Sequence, residues 1–181
     1  MRSQGYESIT LTDLVYHLTL GWPLPEKPVI ITFDDGYRDN YTNAFPLLKK
    51  YGYVGTFFLV TRAIDYGDPA YLSWGMVKEM HQAGMDFEPH GYRHRDLRGK
   101  DVDFLIYEIV GSKEAVEART GEIARFFSYP SGSYDARTVA VLESAHFWGA
   151  VITWQGATHT SENLFELMRV RIRGKHTLQD F

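Results

Sequence analysis

The sequence predicts an α/β fold with a largely parallel sheet, on three observations. Short apolar runs alternate with amphipathic stretches, the connections between them are brief, and the out-of-place polar residues fall just after apolar runs. In folds of this class the strand ends carry the chemistry. The chain has 181 residues, 44% hydrophobic and 23% charged. That is enough for one domain with its own core and too few for two, so residues 1–181 are read as a single domain.

The elements follow in order. "TLTDLVYHLTLG" reads as a helix with Thr10 or Thr12 as N-cap and Gly21 as terminator. "PVIITF" (28–33) is a continuous apolar run of strand length. "NAFPLLKKYG" is a helix ending at Gly52, with Pro46 in its first turn and Asp39 and Asn40 as its caps. "VGTFFLV" (54–60) is the next strand, and "SWGMVKEMHQAG" (73–84) a helix closed by a glycine. "MDFEPH" (85–90) is a short strand in which Glu88 is expected to face outward, a supporting place behind the site residues being the alternative. A long amphipathic helix over 101–120 precedes the strand "ARFFSYP" (124–130). The helix "DARTVAVLESA", the strand "WGAVIT" (148–153) and an alternating strand "LMRVRI" (167–172) complete the chain, about six strands in all.

Composition excludes several function classes. The net charge of -4 and the lack of any basic run argue against a nucleic-acid binder or an anionic-membrane binder. No apolar run reaches the length of a membrane span, and the N-terminus lacks a signal-peptide core. The start "MRSQGYESITL" and the end "HTLQDF" read as abrupt, as in a truncated chain. With no cysteine, disulfides, thiolate catalysis and cysteine zinc sites are excluded, and any metal must be held by His, Asp or Glu.

Three stretches carry candidate chemistry. Asp34 and Asp35 follow a strand, where adjacent carboxylates repel and resist burial. A divalent cation would resolve this, provided a turn at Gly36 lets both face one site; a plain loop with Asp34 as a helix cap is the competing reading. His90 and His94, in "HGYRH", share a face if the segment is helical; two surface histidines are the bland alternative. Asp plus two His suits Zn²⁺, and also Co²⁺, Ni²⁺ or Fe²⁺, and three protein ligands leave a position open for water. In "FFSYPSGSYD", Pro130 and Gly132 fix a loop, and Tyr129 and Tyr134 offer flat faces for sugar rings; an ordinary Pro-Gly turn with buried tyrosines competes. Trp74 could edge a groove or support a helix, and Trp154, after the 148–153 strand, is placed as a substrate-facing aromatic.

In this order, "TFDDGY", "HGYRH" followed by "RDL", and "YPSGSY" resemble the polysaccharide deacetylases, a carbohydrate esterase group also called NodB-like, from about residue 5 onward. "GYESITLTDL" and "LPEKPVIITFDDGYRDNYTNAFPLLKKYG" look most like the branch acting on poly-N-acetylglucosamine. The resemblance implies a distorted (β/α)₇ barrel, here lacking one N-terminal strand. It implies Asp34 as general base, Asp35, His90 and His94 as metal ligands, and a metal-bound water as nucleophile. It makes Tyr129, Pro130, Ser131 and Gly132 a groove wall, joined as substrate contacts by Tyr134 and Trp154. The implied reaction is metal-dependent removal of N-acetyl groups from an N-acetylated polysaccharide or oligosaccharide, in an extracellular or cell-envelope setting.

The chain also departs from the family pattern. Gly91 replaces a common Ser or Thr, so a loop-fixing hydrogen bond is expected to be lost. Ser128 stands where many members carry an arginine that orients the base. The late histidine that serves as general acid is not found: His159 and His176 lack its surroundings, and His17 sits in a helix. A catalytically silent sugar-binding domain and an O-acetyl esterase of the xylan type are therefore kept as alternatives.

Overall fold

The computed structural model describes residues 2–177; the last four residues of "HTLQDF" lie outside them. Seven short strands alternate with six helices: β1 (Glu7–Ser8), α1 (Leu11–Leu20), β2 (Pro28–Val29), β3 (Thr32–Phe33), α2 (Phe45–Tyr51), β4 (Thr56–Leu59), α3 (Thr61–Asp65), α4 (Trp74–Gln82), β5 (Asp86–Pro89), α5 (Val102–Thr120), β6 (Phe126–Ser128), α6 (Ala136–Ser144) and β7 (Gly149–Val151). Every ladder is parallel, in the groups β1-β2, β3-β4-β5 and β6-β7. The α/β expectation therefore holds, although the described ladders do not close into a continuous ring.

Barrel character lies in how the strands sort their side chains. On β4, Phe57 joins the apolar cluster beneath α2 and α4, whereas its neighbour Phe58 joins a cluster with Leu11, Leu14 and Val15 of α1. On β6, Phe127 lies under α5 and α6, and Phe126 joins the α1 cluster. Ala150 and Val151 of β7 divide the same way. Strands alternate faces, so the helices cover the outside while residues from separate ladders meet in one interior plugged by α1. Burying each such phenylalanine fully contributes about 1.5–3 kcal/mol.

Several expectations need correction. The 28–33 run changes partners midway, β2 pairing with β1 and β3 with β4, so it is two strands. Residues 167–172 form no strand beyond a single Val151–Leu167 bridge, because the Arg169 side chain takes the Ile152 carbonyl. The helix beginning at Phe45 is entered through a π-turn over Asn40–Ala44 with no side-chain cap, so Asp39 and Asn40 do not cap it. Glu88 faces inward, not outward. Its carboxylate accepts the N–H groups of Arg125 (3.0 Å) and Phe126 (3.1 Å), bridging β5 to β6 where no backbone ladder runs. Helix α1 starts at Thr10 through a capping box with Asp13 and ends at Gly21, as its sequence requires. No described helix is long and apolar enough to cross a membrane.

Candidate active site

β3 ends at Phe33 and delivers Asp34 and Asp35 to the rim. Asp35 has φ 72°, a left-handed conformation that costs a non-glycine residue about 1–2 kcal/mol. This turn lies at Asp35 itself as well as at Gly36. β5 ends at Pro89 and delivers His90, which is 2% exposed. The 90–94 segment is not helical; His94, at φ 57°, folds back through a second left-handed residue. The imidazoles of His90 and His94 meet edge-on, with centroids 4.8 Å apart.

The two Nε2 atoms lie 3.5 Å (His90) and 3.3 Å (His94) from Asp35 Oδ1, and the three ligand atoms fall within 4.8 Å of one another. His90 Nδ1 donates to the Ser128 carbonyl at 2.7 Å. That bond fixes the tautomer and turns Nε2 toward Asp35, as a metal-ligating histidine requires. Burial pushes the His90 imidazole below its usual pKa despite the opposing pull of Asp34, which favours the neutral form. One carboxylate and two imidazoles, with Asp35 and His94 held in left-handed backbone, fit a divalent cation of the zinc type.

Asp34 stays outside that cluster. Arg169 donates to its Oδ1 at 2.8 Å and Oδ2 at 2.7 Å, while the Ser128 hydroxyl approaches Oδ1 at 3.4 Å. Arg169 also donates to Thr32 Oγ1 and the Ile152 carbonyl, so its fork is fully engaged. Burial pushes the Asp34 carboxyl up, but the Arg169 hydrogen bond and the charges of His90 and Arg169 outweigh it and hold the group below the usual carboxylate value. Position 128 holds a serine, and the arginine that reaches Asp34 comes from the far end of the sequence.

The loop after β6 divides its residues. Tyr129 and Pro130 are buried. The Tyr129 ring stacks on Tyr134 (centroids 4.4 Å), and its hydroxyl donates to the Phe165 carbonyl. Its face is therefore closed to a sugar, which corrects that expectation. Ser131 is exposed, and Gly132 and Tyr134 are half-buried. Tyr134 donates to Glu166; burial and that carboxylate push its hydroxyl up to about 12. The amides of Tyr129, Gly132 and Ser133 are bonded to the Val151, Tyr129 and Pro130 carbonyls. Trp154 is 63% exposed on the adjoining segment. Trp74 instead bonds Asp65 and packs at the helix base.

The loss expected at Gly91 does not leave the histidine loop untethered. The buried Glu108 of α5 accepts the Arg93 N–H (2.8 Å) and the Arg93 Nε–H, and its carbonyl accepts the Tyr92 N–H. Next to His94 lies an open groove of about 380 Å³ whose lining includes Arg62, Tyr66, Asp68, Tyr71 and Arg93. None of these, nor Arg169 or Glu108, stands out in the sequence, because no local pattern marks them. Of the histidines expected to be unsuited as proton donor, His17 bonds the Trp22 carbonyl and His176 the Arg173 N–H, while His159 Nδ1 is buried with no hydrogen-bond partner.

Known proteins resemble this chain over most of its length. Residues 22–149 match the family model described as polysaccharide deacetylase. A Bacillus subtilis protein assigned to the polysaccharide deacetylases, YxkH, is 34% identical over 172 residues, 95% of this chain and 61% of that protein. The poly-β-1,6-N-acetyl-D-glucosamine N-deacetylase of Staphylococcus epidermidis is 27% identical over 90% of this chain and 61% of its own length. The chain thus spans about 61% of the length of these curated relatives. The structure of Streptococcus pyogenes deacetylase PplD in complex with acetate superposes with a TM-score of 0.95 at 29% identity, covering 99% of this chain and 80% of that one.

Proposed function

The chain belongs to the polysaccharide deacetylase family, and we propose that it hydrolyses N-acetyl groups on an N-acetylglucosamine-containing polysaccharide, using a divalent cation held by Asp35, His90 and His94. The observation that carries this reading is the pairing of that three-residue cluster with a separate carboxylate, Asp34, fixed by Arg169. Zn²⁺ suits the ligand set best, with Co²⁺, Ni²⁺ or Fe²⁺ as substitutes. The names of the Staphylococcus relative and of the acetate-bound PplD support the substrate and the leaving acyl group.

When bound, the cation supplies Lewis-acid polarisation and acidifies water. The chain's own groups do the rest. Asp34 is the general base, kept ionised and aimed by the two Arg169 bonds, so it can accept a proton from the attacking water. The amide of Ser131, which is exposed in the turn after β6, is the donor proposed for the developing oxyanion. Hydrolysis releases acetate and an amine, and the proton taken by Asp34 is the one the amine requires. Trp154 and Tyr134 are proposed as sugar contacts on one side, with the groove beside His94 on the other. A polymeric sugar substrate points to the cell envelope as the place of action.

The test is acetate release from N-acetylglucosamine oligomers by the whole chain with added Zn²⁺ or Co²⁺. Release that a chelator abolishes is expected. Sugar binding without acetate release would instead identify a silent binding domain, and release only from acetylated xylan an O-acetyl esterase.

A further inference from the structure

Glu108 is fully buried, yet its carboxylate touches the one loop that carries both histidines of the cluster. A buried anion is costly unless paired, and a buried ion pair can often be replaced by apolar residues with no loss of stability. Stability alone therefore gives no specific account of a glutamate at this position. The hydrogen bonds give a more specific account. One carboxylate oxygen takes the Arg93 backbone N–H and the other the Arg93 Nε–H, while the Glu108 carbonyl takes the Tyr92 N–H. All three fall between His90 and His94. The Arg93 guanidinium is further held over the Tyr107 ring, 4.7 Å from its centroid, and the Phe104 ring, 5.3 Å.

Gly91 makes this approach feasible. Its φ is +78°, and a Cβ there would lie 3.3 Å from Pro130 Cγ and 3.6 Å from Glu108 Oε2. A side chain at 91 would therefore crowd the space between the loop wall and the carboxylate. The next strained residue is His94 itself, at φ 57°. A left-handed non-glycine residue persists only where its surroundings over-determine it, and the Glu108 bonds constrain the two residues immediately before it.

We propose that Glu108 is a positioning residue that pre-sets the 91–94 loop so that His94 meets His90 and Asp35 before any ion arrives. This rests on the reading of those three residues as a cation site. Loss of such an outer partner typically weakens metal affinity about 10–100-fold. Arg93 is partly exposed and can turn to water when Glu108 is neutralised, so the variant leaves no buried cation behind.

The experiment is titration calorimetry of the metal-free protein and of Glu108→Gln with Zn²⁺, alongside thermal melts of both. The expected result is a melt close to the parent protein, a Kd raised about 10–100-fold, and turnover restored toward the parent value when Zn²⁺ is saturating. An unchanged Kd overturns the inference. A parent protein that takes up no Zn²⁺ overturns the reading of the site itself, and the inference with it. Should the variant fail to fold, hydrogen exchange of the Arg93 amide in the metal-free parent protein decides. Protection comparable to the Leu105 amide in α5 supports a pre-set loop, and exchange at the rate of a free amide overturns it.

Discussion

Arg169 grips Asp34 with both terminal nitrogens, at 2.8 and 2.7 Å, across 135 residues of sequence. A planar fork matched to a carboxylate fixes its orientation in a way a lysine cannot. Arg169→Lys is therefore expected to lower kcat by about 100-fold, on the scale of losing an aligned general base. Because Arg169 helps hold the Asp34 carboxyl below its usual value, Arg169→Gln should raise it. The base is then protonated at higher pH, so the acid limb of the kcat/KM profile should move upward in pH. A limb that stays in place would detach Arg169 from the base.

Asp34 and Asp35 are neighbours with separable tasks. Asp34→Asn should lower turnover by about 10²–10⁴-fold while Zn²⁺ uptake remains near the parent value, because Asp34 lies outside the ligand cluster. His94→Ala should lose both activity and the ion. Steady-state rates paired with metal analysis check the two, and an Asp34→Asn protein that loses its metal would merge the roles.

Glu88 gives stability an opposite pH trend to that of Asp34. Burial, followed by the neighbouring Asp86 charge, pushes the Glu88 carboxyl well above its usual value. The folded state thus favours its protonated form. Its contribution is present at low pH and lost as pH rises above the unfolded value near 4.5. Glu88→Gln, which keeps an acceptor for the Arg125 and Phe126 amides, should gain stability relative to the parent as pH increases from 5 to 8. Thermal melts across that range are the measurement, and a difference independent of pH would contradict it. The Asp34 carboxyl, held low, stabilises the fold above its unfolded value and ceases to do so as pH falls through its folded value.

Gly132 is required by both space and backbone. Its φ is +70°, and a Cβ there would sit 2.2 Å from Thr153 Oγ1. Gly132→Ala should destabilise the protein by about 1–3 kcal/mol, and adding Thr153→Ala should recover the part owed to the clash. Denaturant unfolding of the single and double variants checks this. Full recovery would mean that the left-handed backbone costs nothing.

What the sequence disclosed follows the range of its signals. Asp34, Asp35 and His90 are legible because they follow apolar runs, and His94 because it lies four residues after His90 in "HGYRH". Arg169 is not legible: its segment alternates like a strand, and only the folded chain shows its side chain occupying a ladder position and reaching Asp34. β1 spans two residues and α3 five, too short for any periodicity to register. Glu88 reads as an outward strand residue by alternation, and its inward role depends on the gap between β5 and β6. Tyr129 reads as a sugar platform by composition, but it is claimed by the core through Tyr134 and Phe165.

The most direct test is anomalous scattering at the zinc edge from a crystal of this protein grown with Zn²⁺. One peak is expected, about 2.0–2.2 Å from His90 Nε2, His94 Nε2 and an Asp35 oxygen, with Asp34 still joined to Arg169 and outside that sphere. A crystal without a peak among these three side chains, or with Asp34 as the ligand in place of Asp35, would contradict the assignment of one aspartate to the ion and the other to the proton.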